Sequence, residues 1–172
     1  SGTGLASYTI SYAKGGLTDG KKALTITAKD KSKTYGETVT FAGTEFTTEG
    51  LANTDAVSSV TLSSPGAAST AAVSSTAYDI EASSASGTGL GNYTISYAKG
   101  GLSVGKKALT ITAKDKSKTY GETVTFAGSE FTTEGLINND AVSSVTLNST
   151  GAASTAAVSS TAYDIEASSA SG

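Results

Sequence analysis

The side chains that could do chemistry in this sequence are carboxylates, lysines and tyrosines, because it contains neither Cys nor His. Thiol nucleophiles, disulfides, imidazole bases and the usual zinc sites are therefore excluded. A carboxylate pair such as Asp79 with Glu81 lies in an alternating run, where both side chains point to the solvent face of a strand. The sequence predicts a protein that is not an enzyme, with no catalytic residue and no cofactor.

The basic stretch KDKSKTYG, residues 29–36, is the first candidate for binding an anion. A phosphate cradle needs several free backbone N–H groups, usually from a Gly-rich loop at a helix N-terminus. This stretch has one Gly and no helical pattern, so we interpret it as an exposed charged corner whose lysines discourage edge pairing. Tyr35 is predicted to anchor the core and Gly36 to form a turn, as are Tyr120 and Gly121 in a second copy.

Two aspartates are weak calcium candidates, Asp55 in ANTDA and Asp140 in INNDA. Calcium takes about six to eight oxygen ligands. Neither stretch has the alternating acidic residues and downstream Glu of a calcium loop. Asn and Asp also form turns by bonding their own backbone, and we favour that interpretation.

Composition and charge limit the partners. The net charge of -3 is mild and mixed in sign, so no basic surface for nucleic acid is indicated. No apolar run is long enough to span a membrane. We expect neither a nucleic acid nor a membrane as partner.

Alternating apolar and polar residues predict strands and an all-β fold. In KALTITA, Leu24 and Ile26 share one face, which marks a half-buried strand. No segment of a dozen residues has a helical period, and residues 44–57 allow only a turn or so of helix. The same alternation predicts strands at residues 7–13, 37–43, 58–64 and 77–82, with inward residues Tyr8, Ile10, Tyr12, Val39, Phe41, Val60, Leu62, Tyr78 and Ile80.

The sequence repeats itself with a period of 85 residues, and only nine aligned positions differ. Residues 24–43 return unchanged at 109–128. This period is too long for a solenoid coil and fits a small domain in tandem. An enzyme rarely needs two nearly identical copies, whereas a stalk, a fibre or a multivalent binder does. The structural positions we predict are Leu24, Ile26, Tyr35, Gly36, Phe41, Tyr93, Ile95, Tyr97, Leu109, Ile111, Tyr120, Gly121 and Phe126.

The stretches LTITAKDKSKTYG, TFAGTEFTTEGLANTDAV and GTGLGNYTISYAKGGLSV together resemble the MBG family, over the whole period. These are mostly β, glycine-rich repeats of large bacterial surface proteins such as filamentous-haemagglutinin-like adhesins. The resemblance implies an extracellular place, on the bacterial surface or in a secreted matrix such as a biofilm. It implies stalk modules, and it supplies no catalytic residues.

The resemblance also implies module boundaries. In the family pattern a module opens with the ALTITA strand and closes with the NYTISY and GGLSV segment. Residues 21–104 would then be a complete module, residues 1–20 the last strand of an upstream module, and residues 105–172 a second module lacking its last strand. Asp19 stands where the pattern has an apolar residue, as at Val104.

We expect tandem antiparallel β modules arranged as an extended rod, sandwich-like or alternatively β-grasp-like. A module without its last strand exposes unpaired backbone groups that another chain can fill. We therefore hypothesise head-to-tail assembly in which Tyr8, Ile10 and Tyr12 are strand donors, alongside contacts between neighbouring modules. Packing of these three residues inside their own first module would contradict it. The alternative is a multivalent binder whose Tyr- or Lys-bearing loops recognise a polysaccharide or host protein through avidity.

Overall fold

The computed structural model describes residues 3–172 and confirms an all-β fold. The helical segments in this part of the chain are short 3-10 turns at Leu5–Ser7, Pro65–Ala67, Leu90–Asn92 and Thr150–Ala152. None of its helices has the length and apolar character of a membrane span. The strands are β1 (Lys22–Ala28), β2 (Lys31–Thr34), β3 (Phe46–Glu49), β4 (Ala56–Ser63), β5 (Tyr78–Thr88), β6 (Tyr93–Ala98), β7 (Gly100–Gly105), β8 (Thr110–Ala113), β9 (Phe131–Glu134), β10 (Ser144–Asn148) and β11 (Glu166–Ser171).

The first repeat, residues 22–105, contains two sheets. Their strand orders are β3-β1-β6 and β2-β7-β5-β4. Strand β6 runs parallel to β1, and β7 runs parallel to β2, whereas the other pairings are antiparallel. The expectation of purely antiparallel modules missed these two pairings. Parallel neighbours need a long crossover, and here the chain between β1 and β6 supplies it.

Both sheets contribute to one core, which fits the sandwich-like expectation. Leu24 and Ile26 of β1 are fully buried, and so are Ile80 of β5 and Leu102 of β7. Val60 of β4 joins the same cluster. The alternation in residues 22–28, 58–64 and 77–82 therefore predicted strands β1, β4 and β5 correctly, because each has one face in this core.

Three local predictions were wrong. Residues 37–43 are not a strand, although Val39 and Phe41 do pack against the core. The Val39 N–H instead donates to the carbonyl of Ala67 in a loop, at 2.9 Å. In residues 44–57 the chain forms strand β3 rather than a helical turn, because Phe46 pairs with β1. Residues 7–13 form no strand, although the same pattern at 93–98 forms β6.

The second repeat, residues 107–172, retains only part of this architecture. Strand β8 pairs with β9, and β10 pairs with β11, in the same way as β1 with β3 and β4 with β5. Val145 and Leu147 stay as buried as their counterparts in the first repeat, at 5% and 9% exposed. The stretch that corresponds to β2, residues 116–119, forms no strand. The described chain has no strand beside β8 at the place that β6 takes beside β1.

Candidate functional site

The last two strands of the first repeat close its two sheets. In β6, Tyr93 lies opposite Lys22 and the pairing continues to Ala98 opposite Thr27. Strand β7 lies between β2 and β5, where Leu102 is opposite both Lys31 and Tyr78. We call β6 and β7 together the closing strands. They cover the face of the core that would otherwise be open to water.

Tyr93 fastens the start of the closing strands to the loop before β4. Its hydroxyl donates to Oδ2 of Asp55 at 2.8 Å, and its oxygen accepts from the N–H of Ala52 at 2.8 Å. Burial raises the pKa of Tyr93, and the hydrogen bond to Asp55 raises it further. Asp55 thus serves as the partner of a tyrosine. Asp140, the other calcium candidate, is exposed.

No metal site accompanies these aspartates in the part of the chain that is described. Residues 3–172 contain no group of three or more carboxylate, His or Cys side chains arranged to hold an ion. Asp79 and Glu81, on the outer face of β5, both pair with Lys99, at 2.8 and 3.1 Å. They lie on the solvent face of a strand, as the alternation predicted.

The same face of the second repeat is open. Leu109 is 42% exposed, whereas its counterpart Leu24 is fully buried. Ile111 and Ile165 are half-buried, although their counterparts in β1 and β5 are fully buried. The local sequences are identical, so the difference comes from missing neighbours. We call this exposed part of the second repeat the open edge. It has β8 on one side and residues 116–119 and 163–165 on the other.

A cleft of about 350 Å³ lies in the open edge. It occupies the position that β7 fills in the first repeat, between the counterparts of β2 and β5. Apolar and aromatic side chains form most of its wall, and Lys118 lies at its side. The main wall residues are Tyr120, Val124, Phe126, Tyr163 and Ile165.

The copy of the closing strands at the start of the chain is exposed. We call residues 8–20 the opening segment. Tyr8, Ile10, Tyr12 and Leu17 are 73%, 48%, 92% and 96% exposed, and the segment forms no strand. The three strand-donor candidates are therefore not packed inside the first repeat. Packing there would have contradicted strand donation.

The family model described as MBG domain (YGX type) matches residues 24–103 and residues 109–172. The chain belongs to the MBG family. The first matched segment reaches into the closing strands, and the second ends at the end of the sequence. Each contains a Tyr-Gly pair, at residues 35–36 and 120–121. No curated protein and no solved structure matches the chain.

The Tyr-Gly pairs of the two MBG repeats differ in their surroundings. Gly36 and Gly121 both have positive φ, at 94° and 93°, so both form turns. Tyr35 is half-buried, and its N–H donates to the carbonyl of Gly105 at the end of β7, at 2.9 Å. Tyr120 is 66% exposed and is not a core anchor in the second repeat. It has no β7 to lie beside in the described chain.

The other predicted structural residues fall into three groups. Leu24, Ile26 and Tyr93 are buried. Tyr97 and Leu109 are exposed: Tyr97 is 40% exposed and its hydroxyl accepts from the N–H of Ala85 at 2.9 Å, and Leu109 lies on the open edge. The half-buried residues are Phe41, Ile95, Ile111 and Phe126.

The basic stretch of the MBG repeat is not only an exposed corner. Lys33, on β2, is 7% exposed, and its ammonium donates to the carbonyls of Glu37, at 2.8 Å, and Ala68. Lys31 forms an ion pair with Glu45 at 3.1 Å and lies 5.5 Å from the ring centre of Phe41. Sequence reasoning missed the buried lysine, although the alternation in KSKT was a signal for a strand.

Glu45 is held in its charged form by the backbone of the turn that precedes it, residues 42–44. The backbone N–H of Ala42 donates to its carboxylate at 3.1 Å, and Lys31 adds an ion pair. These hydrogen bonds lower the pKa of Glu45 from 4.5 to about 2. In the second repeat Lys116 and the Ala127 N–H lower the pKa of Glu130 to about 2.

The two MBG repeats contact one another near the first Tyr-Gly pair. The side chain of Ile137 lies directly against Gly36, in the space that a Cβ atom there would need. Asn138 donates from Nδ2 to the carbonyl of Ser69 at 3.1 Å. Position 137 is one of the nine differences between the repeats, with Ala52 as its counterpart. The substitution at a loop position thus supplies a contact between repeats.

Proposed function

We propose that this chain is a stalk or fibre segment of an extracellular bacterial adhesin or matrix protein, with a mechanical and not a catalytic role. Its copies join head to tail, and the opening segment of one copy completes the second repeat of the next. Residues 21–104 are then one complete module, residues 105–172 a module awaiting its last strands, and residues 1–20 the closing strands of a module upstream. Successive modules extend as a rod.

One observation carries the proposal. The same sequence pattern forms β6 and β7 in the first repeat and is exposed in the opening segment, while the open edge contains a cleft at the corresponding place. Unpaired strand edges accept strands from other chains through main-chain hydrogen bonds and side-chain pockets. Donor and acceptor are thus both present on one chain, at its two ends.

Burial of apolar side chains favours this joint. Insertion would cover Leu109 and Ile111 of the acceptor, bury Leu17 of the donor as Leu102 is buried, and half-bury Ile10 as Ile95 is. Each large apolar side chain that becomes fully buried contributes about 1.5–3 kcal/mol. The free-energy cost of association, about 4–15 kcal/mol, is of similar size to the total contribution of these side chains. We therefore expect an equilibrium between single and joined copies that depends on protein concentration.

The direction of the strands supports a mechanical role. The chain enters the first repeat at the start of β1 and leaves at the end of β7, and six residue pairs join β1 to the parallel β6. Tension on the two ends therefore pulls β1 and the closing strands in opposite directions along their length. Their hydrogen bonds are loaded together, in shear, rather than one after another.

Small-angle X-ray scattering of the whole chain over a concentration series tests the proposal. We expect the maximum particle dimension to grow with concentration. The matched control is Ile10→Asp, a change at an exposed donor position that leaves both repeats intact, and we expect it to keep a constant size. A wild-type particle of constant size at all concentrations would contradict assembly through the open edge.

A further inference from the structure

We infer that an ion pair between Asp19 of one copy and Lys118 of the next selects the opening segment as occupant of the open edge. This inference rests on the proposed head-to-tail joint. It identifies the residues that give the joint its specificity, beyond the apolar contacts that any closing strand would make.

The pairing register of the first repeat locates both residues. In the parallel pair of β2 and β7, Val104 lies opposite Lys33. Opposed residues of neighbouring strands project to the same side of the sheet. Both are in fact buried, at 4% and 7% exposed, so their side chains share the core side. One period before Val104 lies Asp19, and one period after Lys33 lies Lys118, so these two residues would be opposed in the joint.

Leu17 sets the position of Asp19 in the groove. Its counterpart Leu102 is fully buried between β2 and β5. The cleft of about 350 Å³ in the open edge is the corresponding space, and Tyr163 and Ile165 form part of its wall. With Leu17 in this cleft, the residue two positions later comes to lie beside Lys118.

Lys118 has a hydrogen-bond donor to spare for a carboxylate. Its ammonium donates to the carbonyls of Glu122, at 2.9 Å, and Ala153, and an ammonium carries three N–H groups. A strand laid over Lys118 removes water from that charge; at Lys33 only two carbonyls offset this cost, and an opposite charge would offset more of it. Asp19 supplies that charge, whereas Val104 at the same place in the closing strands does not.

The test compares Asp19→Asn with the wild-type chain by sedimentation velocity over a concentration series. Asn has the shape of Asp without the charge, and Asp19 is exposed in the single chain, so folding is unaffected. We expect association to weaken about tenfold, as for other close charge pairs across an interface. We also expect the wild-type association to weaken with added salt more than that of Asp19→Asn.

A second variant assigns the effect to Lys118. Lys118→Met keeps the apolar stem and removes the charge, and circular dichroism checks its fold. In that background Asp19→Asn should have no further effect on association. If Lys118→Met does not fold, the ion pair is still tested by comparing how strongly salt weakens the association of Asp19→Asn and of wild type.

The outcomes separate this inference from the proposed function. Equal association of wild type and Asp19→Asn, with loss of association in Leu17→Ala, would overturn the ion pair and leave strand donation standing. Tighter association of Asp19→Asn would also overturn it, since the charge would then only oppose burial. No association of the wild type at any concentration would overturn both.

Discussion

The hydroxyl of Tyr93 and the carboxylate of Asp55 meet at 2.8 Å and join the first closing strand to the loop before β4. The contact links residues far apart in sequence, at the point where a strand from the end of the repeat enters its sheet. In the second repeat the corresponding Asp140 is exposed. The joint between copies that we propose would bring Tyr8 of a neighbour to this position.

Tyr93→Phe should destabilise the first repeat. The change leaves the half-buried Asp55 carboxylate and Ala52 N–H without their partner, and such losses lower the ratio of folded to unfolded protein by roughly tenfold. Urea unfolding followed by circular dichroism measures the effect.

Tyr8→Phe is the matched control for this prediction, because Tyr8 occupies the same position in the opening segment and is 73% exposed. At a protein concentration too low for association, it should leave the unfolding free energy unchanged within about 0.5 kcal/mol. Equal effects of the two changes would contradict the different roles assigned to the two tyrosines.

Gly36→Ala should cost more stability than Gly121→Ala. Both substitutions place a Cβ at positive φ, at a cost of roughly 1–2 kcal/mol. At Gly36 the Cβ also collides with Ile137, whereas nothing lies within contact distance at Gly121. Overpacking of this kind adds about 1–3 kcal/mol or forces the repeats apart.

Ile137→Ala tests the cause of that difference. In this background, which restores the residue found at Ala52, the additional cost of Gly36→Ala should vanish. If thermal unfolding shows the same loss for Gly36→Ala with and without Ile137, the contact between the repeats is not what the substitution disturbs.

Acid should remove a stabilising contribution from Glu45. Its pKa is about 2 in the folded chain against an ordinary value of 4.5, so the folded state binds its proton less readily than the unfolded state. The contribution is therefore complete above about pH 4.5 and is lost as the pH falls toward 2. Glu45→Gln should show a flatter decline in stability over this range.

Urea midpoints of wild type and Glu45→Gln at pH 6, 4 and 2.5 give the comparison. The difference between the two proteins should shrink as the pH falls. A difference that stays constant across the range would mean that the Glu45 carboxylate has the same pKa in the folded and unfolded states.

Pulling on the two ends of a single chain should give two unfolding events of unequal force. The first repeat resists in shear through β1 and the parallel β6, and its extension adds a length on the order of 250–300 Å. The second repeat, which has no such parallel pair among the described residues, should unfold at lower force. Two events of equal force would argue against closing strands as the source of mechanical strength.

Local pattern was enough to predict the strands that have one face in the core. The alternation around Leu24, Val60 and Ile80 reports burial directly, and β1, β4 and β5 were predicted from it. The pattern at residues 37–43 is just as regular, yet the N–H of Val39 finds its acceptor in a loop. Alternation shows which side chains face inward, but a strand also requires a neighbouring strand.

The candidate site could be predicted only in outline. A second module without its last strand was a prediction from the repeat and the MBG resemblance, whereas the residues of the open edge were identified only from the structure, by comparison with the pairing of β1 and β6. The burial of Lys33 did not follow, because a lysine in a polar stretch ordinarily lies in solvent. Two carbonyls from other parts of the chain accept from its ammonium, and these meet it only in the folded repeat.

The sequence alone determined the repeat, the alternation of its strands and the family to which the chain belongs, since each depends on residue types and their spacing. Only the tertiary structure decided which copy of each repeated stretch is buried and which is exposed. Tyr93 is buried and Tyr8 is exposed in nearly identical surroundings of sequence, as are Leu24 and Leu109 in identical ones. The physical reason is that a strand's hydrogen bonds and its buried face are both supplied by neighbours distant in sequence.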